Sequence, residues 1–332
     1  MWIVIRLLIG IALLLIVEYY FIKKITLTVK HFFPKFYIGA FRAVKNTLLI
    51  WLILYPIVLI IIFIYFAISG NYVSSPESKI IDYLFVYPFW IFFILIIQVG
   101  LFLLLLDLLK LLVFPLYKKN RKNFLRIQSA LTFLIIGFFI VYVPIRVTYD
   151  HYSVTIRSVE YRKKNLPKVL ENFKIAFISD LQTDHYTDEN RIDNFIRKVN
   201  LTKPDLVLIA GDLITTGSNY IQLSGEKVGA IESRYGVYSC VGDHDNWAYR
   251  NDSKQSIAEI KKSLMKNNVE MIDNEARLIE VSDAQIGITF ITNTYVSKAD
   301  DHILDTLSSS CKGDLKIFLT HQPRPFLIDA AH

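Results

Sequence analysis

The chain has 332 residues, 53% of them apolar, and a mean hydropathy of +0.38. Residues 1–150 contain 15 basic and 5 acidic residues, whereas residues 151–332 contain 22 basic and 25 acidic residues. Because the excess positive charge lies between apolar segments, the net charge of +7 is no sign of nucleic-acid binding, and none is expected. The composition also excludes a disordered, collagen-like or disulfide-rich chain.

Four apolar segments in the first half are long enough to cross a bilayer, which takes about 20 residues. They cover residues 2–22, 47–69, 84–106 and 127–147. No small-residue cleavage site follows the first segment, so we expect it to stay in the chain. The pattern predicts a region of four transmembrane helices over residues 1–149, in a plasma or inner membrane.

Basic residues are concentrated in two of the three loops between these segments. The middle loop has Lys79 alone, and the first and third loops have Lys23, Lys24, Lys30, Lys35, Arg42, Lys45, Lys118, Lys119, Arg121, Lys122 and Arg126. Loops rich in Lys and Arg stay in the cytoplasm. We therefore expect the part after the fourth segment to be extracytoplasmic.

Three polar residues interrupt the apolar segments. Gln98 lies in mid-segment, and Glu18 and Asp107 lie near segment ends. Polar residues in a membrane often mark a transport pathway, but no polar row repeats here from one segment to the next. We expect Asp107 to pair with Lys110 one turn further on, and Glu18 to reach the membrane interface.

From about residue 148 the pattern is that of a soluble α/β domain, predicted over residues 150–332. Short apolar runs predict strands at 152–162, 173–180, 205–210, 236–241, 269–272, 276–281, 286–292 and 315–319. Helical periods predict helices at 188–200, 221–234 and 253–266, and another after Pro325. Strands that alternate with helices favour a layered α/β architecture.

Polar side chains follow four of the predicted strands at the point where each strand ends. They are Asp180, Asp212, Asp243 with His244, and His321. Ligands of α/β sheets bind at the carboxyl ends of strands. Carboxylates and imidazoles together suit divalent metals such as Mn, Fe or Zn. Two such ions about 3.5–4 Å apart would activate a hydroxide for attack on a phosphate ester.

In order and spacing, these residues resemble the motifs of the calcineurin-like metallophosphoesterases, whose pattern is D-x-H, G-D, G-N-H-[DE], a lone H and G-H-x-H. The resemblance covers about residues 155–330, and the preceding apolar segments look like those of membrane-anchored bacterial members. It implies an α+β fold, a sandwich of two sheets flanked by helices. The matching residues are Asp180-Leu181-Gln182, Gly211-Asp212, Gly242-Asp243-His244-Asp245 and His321.

The resemblance also implies a role for each matching residue. Asp180 would bind a first metal, and Asp212 would bridge the two metals. Asp243 and His321 would bind the second metal. His244 would be the catalytic residue that contacts the phosphate and assists the leaving group. Asp245 would be a structural residue of its loop.

The sequence departs from the family pattern at three points. Gln182 stands where the family has a His ligand, and an amide binds Zn less well than an imidazole. His185 offers a replacement, although an exposed loop histidine is the simpler interpretation. Asp243 replaces Asn and adds a negative charge. No Gly-His pair occurs, so the final G-H-x-H is missing. We expect a domain truncated at its C-terminus, with weak metal binding and poor turnover.

The leading interpretation is a membrane-bound hydrolase, a metal-dependent phosphoesterase with two divalent ions. Its substrate would contain a phosphodiester, phosphomonoester or pyrophosphate bond, and the anchor in the lipid bilayer favours a lipid-linked one. The alternative is a catalytically impaired, phosphoesterase-like membrane protein with a binding or structural role. A third interpretation is a four-helix transporter or scaffold.

Overall fold

The computed structural model describes residues 2–33, 38–70 and 77–331. The chain forms two compact units, Met1–His151 and Tyr152–His332. This division confirms the change of pattern seen at about residue 148.

The first unit is helical. Three helical stretches are long and apolar enough to cross a membrane, and they contain the predicted segments 47–69, 84–106 and 127–147. The predicted segment 2–22 lies in a helix, but the side chains of residues 2–4, 7 and 8 lie outside the described residues. Three of the four spans are thus supported. The helices are α1 (Trp2–Phe32), α2 (Ile38–Ser69), α3 (Lys79–Ile81), α4 (Tyr87–Leu112), α5 (Phe114–Tyr117) and α6 (Arg121–Tyr152).

A polar cluster around Asp107 joins α1, α4 and α6. Tyr20 donates a hydrogen bond of 2.8 Å to Asp107 Oδ2. Lys24 pairs with Oδ1, and Gln128 donates to the same oxygen at 3.0 Å. The expected partner Lys110 was therefore wrong, because helix packing brings Lys24 to the carboxylate. Each oxygen of Asp107 has at least one donor, and its charge has a cation.

The second unit contains two sheets. In the first sheet, four parallel strands lie in the order β1-β2-β3-β4. In the second sheet, β6 pairs with β5 antiparallel and with β7 parallel. The strands are β1 (Ile175–Ile178), β2 (Leu206–Ile209), β3 (Val237–Ser239), β4 (Val269–Met271), β5 (Glu275–Val281), β6 (Ala284–Ile291) and β7 (Leu315–Thr320).

The helices of this unit begin at sequence signals. In three of them, an Asp side chain directly before the first turn accepts a backbone N–H of that turn, which stabilises the helix start. The capped helices are α7 (Glu189–Leu201), α9 (Ser253–Lys266) and α10 (Asp301–Ser310); the others are α8 (Ile221–Gly229) and α11 (Pro325–Ala331).

Alternation along β2 explains how the layers stack. Val207 and Ile209 pack in the core beneath α7, α8 and α9, whereas Leu206 and Leu208 pack against the second sheet. All four are almost fully buried, and each buried aliphatic side chain contributes about 1.5–3 kcal/mol. Helices α10 and α11 pack on residues of the second sheet. The expected two-sheet sandwich flanked by helices is confirmed.

Two predicted elements differ from the structure. The strand expected at 152–162 was wrong: α6 continues to Tyr152, and residues 153–163 pair with no strand among the described residues. Val159 and Tyr161 are 90% and 71% exposed, so the alternating pattern is not matched by burial. Helix α8 ends at Gly229 rather than at residue 234.

Candidate metal centre

The loops that follow β1 and β2 run side by side at the carboxyl edge of the first sheet. The N–H of Gln182 donates to the carbonyl of Asp212 at 2.9 Å, and that of Thr183 donates to Leu213 at 2.9 Å. Asp180, Gln182 and Asp212 have φ values of 56°, 48° and 58°, in the left-handed region that non-glycine residues seldom adopt. Such strain is typical of functional loops.

Two glycines allow the second and third loops to touch. A Cβ on Gly211 would lie 2.4 Å from the Gly242 nitrogen, and a Cβ on Gly242 would lie 2.1 Å from the Asp212 nitrogen. Gly211 also has a φ of 76°. Side chains at either position would force the two strand ends apart.

Asp245 ties these loops together from within. Its carboxylate accepts the backbone N–H groups of Asp212 (3.0 Å), Leu213 (2.8 Å) and Gly242 (2.8 Å). The side chain is fully buried. Burial raises the pKa of Asp245 to about 6, although the backbone donors favour its ionised form. These bonds match the structural role that the family resemblance implies.

Asp180, Asp212 and His321 come together above these loops. One ligand atom from each lies within 4.8 Å of the others, and among the described residues this is the group of His, Cys and acidic side chains that could hold a metal ion. His321 Nδ1 lies 2.7 Å from the carbonyl oxygen of Ala210. If Nδ1 donates there, Nε2 keeps its lone pair, 3.4 Å from Asp212 Oδ2.

Asp243 lies beside this group. Its Oδ2 is 3.5 Å from His321 Nε2 and also accepts a hydrogen bond from the Gln322 amide. Its Oδ1 accepts the Tyr295 N–H at 2.7 Å. Neither donor is among the residues predicted from the sequence. Gln322 directly follows His321 and could have been noticed, whereas a backbone N–H leaves no sequence signal.

His244 is held at the edge of the group. Its N–H donates to Asp212 Oδ1 at 2.8 Å, and its Nδ1 lies 3.0 Å from the carbonyl oxygen of Thr215. The ring packs edge-on against Trp247, with 4.8 Å between centroids. His185 is half-buried rather than exposed, and its ring contacts Tyr186.

The charges of the group suit a cation. Burial raises the pKa of the Asp212 carboxyl; the His244 N–H and the nearby His321 and His244 rings act to lower it, and the negative charge of Asp180 adds a smaller increase. Two neighbouring carboxylates are costly to ionise together unless a positive charge lies between them. Two carboxylates and one imidazole form a donor set for divalent metals of intermediate hardness. The residues present therefore fit a divalent metal.

Residues 173–330 match the family model described as calcineurin-like phosphoesterase. This part of the chain is a calcineurin-like phosphoesterase domain. The match confirms the resemblance drawn from the strand-end motifs.

Curated relatives of this phosphoesterase domain have related names. An uncharacterized metallophosphoesterase of Campylobacter jejuni is 31% identical over 137 residues, which cover 40% of this chain and 35% of the relative. A transmembrane protein with metallophosphoesterase domain from Bos taurus is 29% identical over 129 residues, 39% of this chain and 28% of the relative. The protein of the same name from Danio rerio is 27% identical over 88 residues, which cover 26% of this chain and 20% of the relative. The chain thus matches about a third or less of their lengths.

Proposed function

We propose that this protein is an integral membrane phosphohydrolase that depends on two divalent metals and cleaves phosphodiester, phosphomonoester or pyrophosphate bonds. The observation that carries the proposal is the meeting of Asp180, Asp212 and His321 at one edge of a calcineurin-like phosphoesterase domain. The chain also contains three helices able to cross a membrane, so a substrate at the bilayer, such as a lipid-linked phosphate, is favoured.

In this proposal Asp180, Asp212 and Gln182 hold one ion, and Asp212, Asp243 and His321 hold the other. Divalent ions such as Mn, Fe or Zn supply Lewis acidity toward phosphoryl oxygens and an activated hydroxide at neutral pH. The carbonyl of Ala210 keeps His321 in the tautomer that can bind a metal through Nε2.

His244 is the proposed catalytic residue. The Thr215 carbonyl engages its Nδ1, which leaves Nε2 to contact the phosphate; when the ring is protonated at both nitrogens, Nε2–H can transfer its proton to the leaving oxygen and return to the neutral form. Trp247 limits rotation of the ring by packing against it. The negative charge of Asp243, where the family has Asn, would tighten the second ion and weaken it as a Lewis acid.

The second candidate is a binding or structural role without turnover. The presence of Gln182 in the place of a histidine ligand favours it, because an amide is the weaker ligand for a metal such as Zn. Both candidate functions use the same arrangement of loops, and only the hydrolase predicts turnover of a phosphate ester.

One experiment separates them. The full chain is purified in detergent and supplied with Mn or Zn, and bound metal is measured by mass spectrometry of the elements. Hydrolysis of bis(4-nitrophenyl) phosphate, 4-nitrophenyl phosphate and pyrophosphate is followed in parallel. At saturating metal we expect up to two weakly held ions per chain, slow turnover of at least one probe, and a further loss of about 100-fold or more in His244→Ala with its metal retained.

Metal without turnover would favour the binding role, and absence of metal would refute both the two-metal centre and the hydrolase.

We also propose that α1 is a fourth span and that the phosphoesterase domain lies outside the cytoplasm. Two contacts indicate that α1 and α4 run in the same direction, since Val17 lies against Gly100 and Tyr20 against Asp107. That direction is expected if α2 crosses the membrane between them. The basic loops then lie on the cytoplasmic side.

Cysteine labelling tests this topology. Asp283, in the exposed turn between β5 and β6, and Lys122, in the third loop, are each replaced by Cys. The native Cys240 and Cys311 are buried and give a low background. We expect a membrane-impermeant maleimide to label Asp283→Cys in intact cells and Lys122→Cys only after permeabilisation. The opposite result would place the domain in the cytoplasm.

A further inference from the structure

A cavity of about 430 Å³ lies between α1 and α2 in the helical unit. Glu18, Lys23 and Lys45 contribute its polar lining, and Leu15 and Leu49 contribute apolar lining. None of these residues belongs to the candidate metal centre. The cavity therefore needs a separate explanation.

Glu18 is buried within the helical unit. Its side chain is 1% exposed, and neither carboxyl oxygen has a hydrogen-bond partner among the described residues. A buried carboxyl group without a partner is costly in any protein and more so in a bilayer. A buried polar group that the protein leaves unsatisfied indicates that another molecule supplies the partner.

The two lysines have no acidic partner among the described residues, although the Lys23 amine lies 5.9 Å from the centre of the Tyr19 ring. Among the described residues neither Lys23 nor Lys45 forms an ion pair, whereas the adjacent Lys24 is neutralised by Asp107. Lys45 lies two residues before the predicted segment 47–69, and Lys23 directly follows the predicted segment 2–22. Both amines thus belong at the depth of the lipid headgroups, where basic pockets between helices bind anionic lipids.

We propose that this cavity binds one anionic glycerophospholipid. Lys23 and Lys45 bind its phosphate. Glu18 precedes Lys23 by five residues, which places it about 7.5 Å deeper in the membrane along the helix. At that depth below the phosphate lie the ester carbonyls of a glycerophospholipid. In its neutral form the Glu18 carboxyl donates its O–H to one of these carbonyls. Leu15 and Leu49 contact the acyl chains. The site rests on α1 and α2 crossing the membrane and is independent of the hydrolase proposal.

The charge part of the site is tested by native mass spectrometry of the full-length protein titrated with phosphatidylglycerol. The double variant Lys23→Gln, Lys45→Gln should bind this lipid about tenfold more weakly than the wild type. The matched control Lys30→Gln, Arg42→Gln removes the same charge from the same helices outside the cavity lining and should bind normally. Equal weakening in both variants, or equal wild-type affinity for phosphatidylcholine, would overturn the proposal.

The role of Glu18 is tested with a diether phosphatidylglycerol, which lacks ester carbonyls. The wild type should prefer the diester over the diether by about fivefold, the value of one hydrogen bond. Glu18→Gln keeps a donor and should keep the preference, and Glu18→Leu should lose it. A wild type that does not distinguish the two lipids would overturn the assignment of Glu18, even if Glu18→Leu proved unstable.

Discussion

The two units place carboxylates in opposite situations. Asp107 in the helical unit has a lysine, a tyrosine and a glutamine as donors, so its charge is neutralised within the protein. Asp180 and Asp212 lie close together, with an imidazole as the neighbouring basic group. A satisfied carboxylate holds helices together, whereas a gathered and uncompensated pair has the features of a cation site. Whether a carboxylate has a cationic partner within the protein, more than how deeply it is buried, therefore distinguishes a structural carboxylate from a functional one.

The largest expected effect comes from removing one charge in each cluster. Asp212→Asn keeps the shape of the side chain and its bond from the His244 N–H but removes the charge on which the centre depends. We expect bound metal to fall to background and turnover to fall at least about 100-fold, since even outer partners of metal ligands contribute 10–100-fold. Metal analysis and hydrolysis of bis(4-nitrophenyl) phosphate measure both.

Asp107→Asn is the matched control for that variant. It leaves Lys24 without its counter-charge, so the full chain should melt at a lower temperature while metal per folded chain stays unchanged. If Asp107→Asn lost metal as well, or Asp212→Asn kept it, the comparison between the two clusters would fail.

A smaller effect should follow from adding one methyl group in each unit. Gly211→Ala places a Cβ against Gly242 in a left-handed backbone, and we expect a loss of about 2–4 kcal/mol in the free energy of unfolding. Gly137→Ala in α6 has no neighbour within 4 Å and should leave stability unchanged or slightly higher. Thermal melting of the full chain in one detergent measures both. Similar melting temperatures would contradict the close contact of the two loops.

The smallest effects concern neighbours of the two carboxylate clusters. Gln322→Leu removes the amide donor of Asp243, and we expect metal affinity to fall about tenfold with little change in stability. Tyr20→Phe removes a donor of Asp107 and should cost about 1 kcal/mol of stability with no change in metal affinity. Metal titration and thermal melting of both variants should show lower metal affinity only in Gln322→Leu and lower stability only in Tyr20→Phe. Parallel changes in both quantities would show that the clusters are not distinct.

Much of the fold could be predicted from the sequence because its signals are local. Buried apolar runs located the strands of the first sheet, and Asp180 and Asp212 were predicted to meet because their parallel strands end at one edge. His321 was predicted to join them, but it follows β7 of the second sheet, so its place beside them also depends on how the two sheets stack. The segment 152–162 misled the prediction, since alternation shows only that a strand is compatible with the sequence. Whether a partner strand exists depends on the rest of the chain.

Other features depend on contacts between distant residues and could not be predicted. The choice of Lys24 over Lys110 as the partner of Asp107 follows from the packing of α1 on α4. The burial of Glu18 depends on the neighbouring helices in the same way. The Tyr295 N–H that binds Asp243 comes from a loop with no distinctive composition. Local periodicity contains no information on such pairs.

The position of His321 in the chain also sets the order of events during synthesis. Asp180 follows β1, whereas His321 follows β7, the last strand described. A chain emerging from the ribosome N-terminus first presents the carboxylates long before the imidazole that completes the group. Contacts between residues so far apart also form slowly. Metal loading should therefore follow release of the domain from the ribosome. A nascent chain that captured ions before His321 emerged would hold them only weakly.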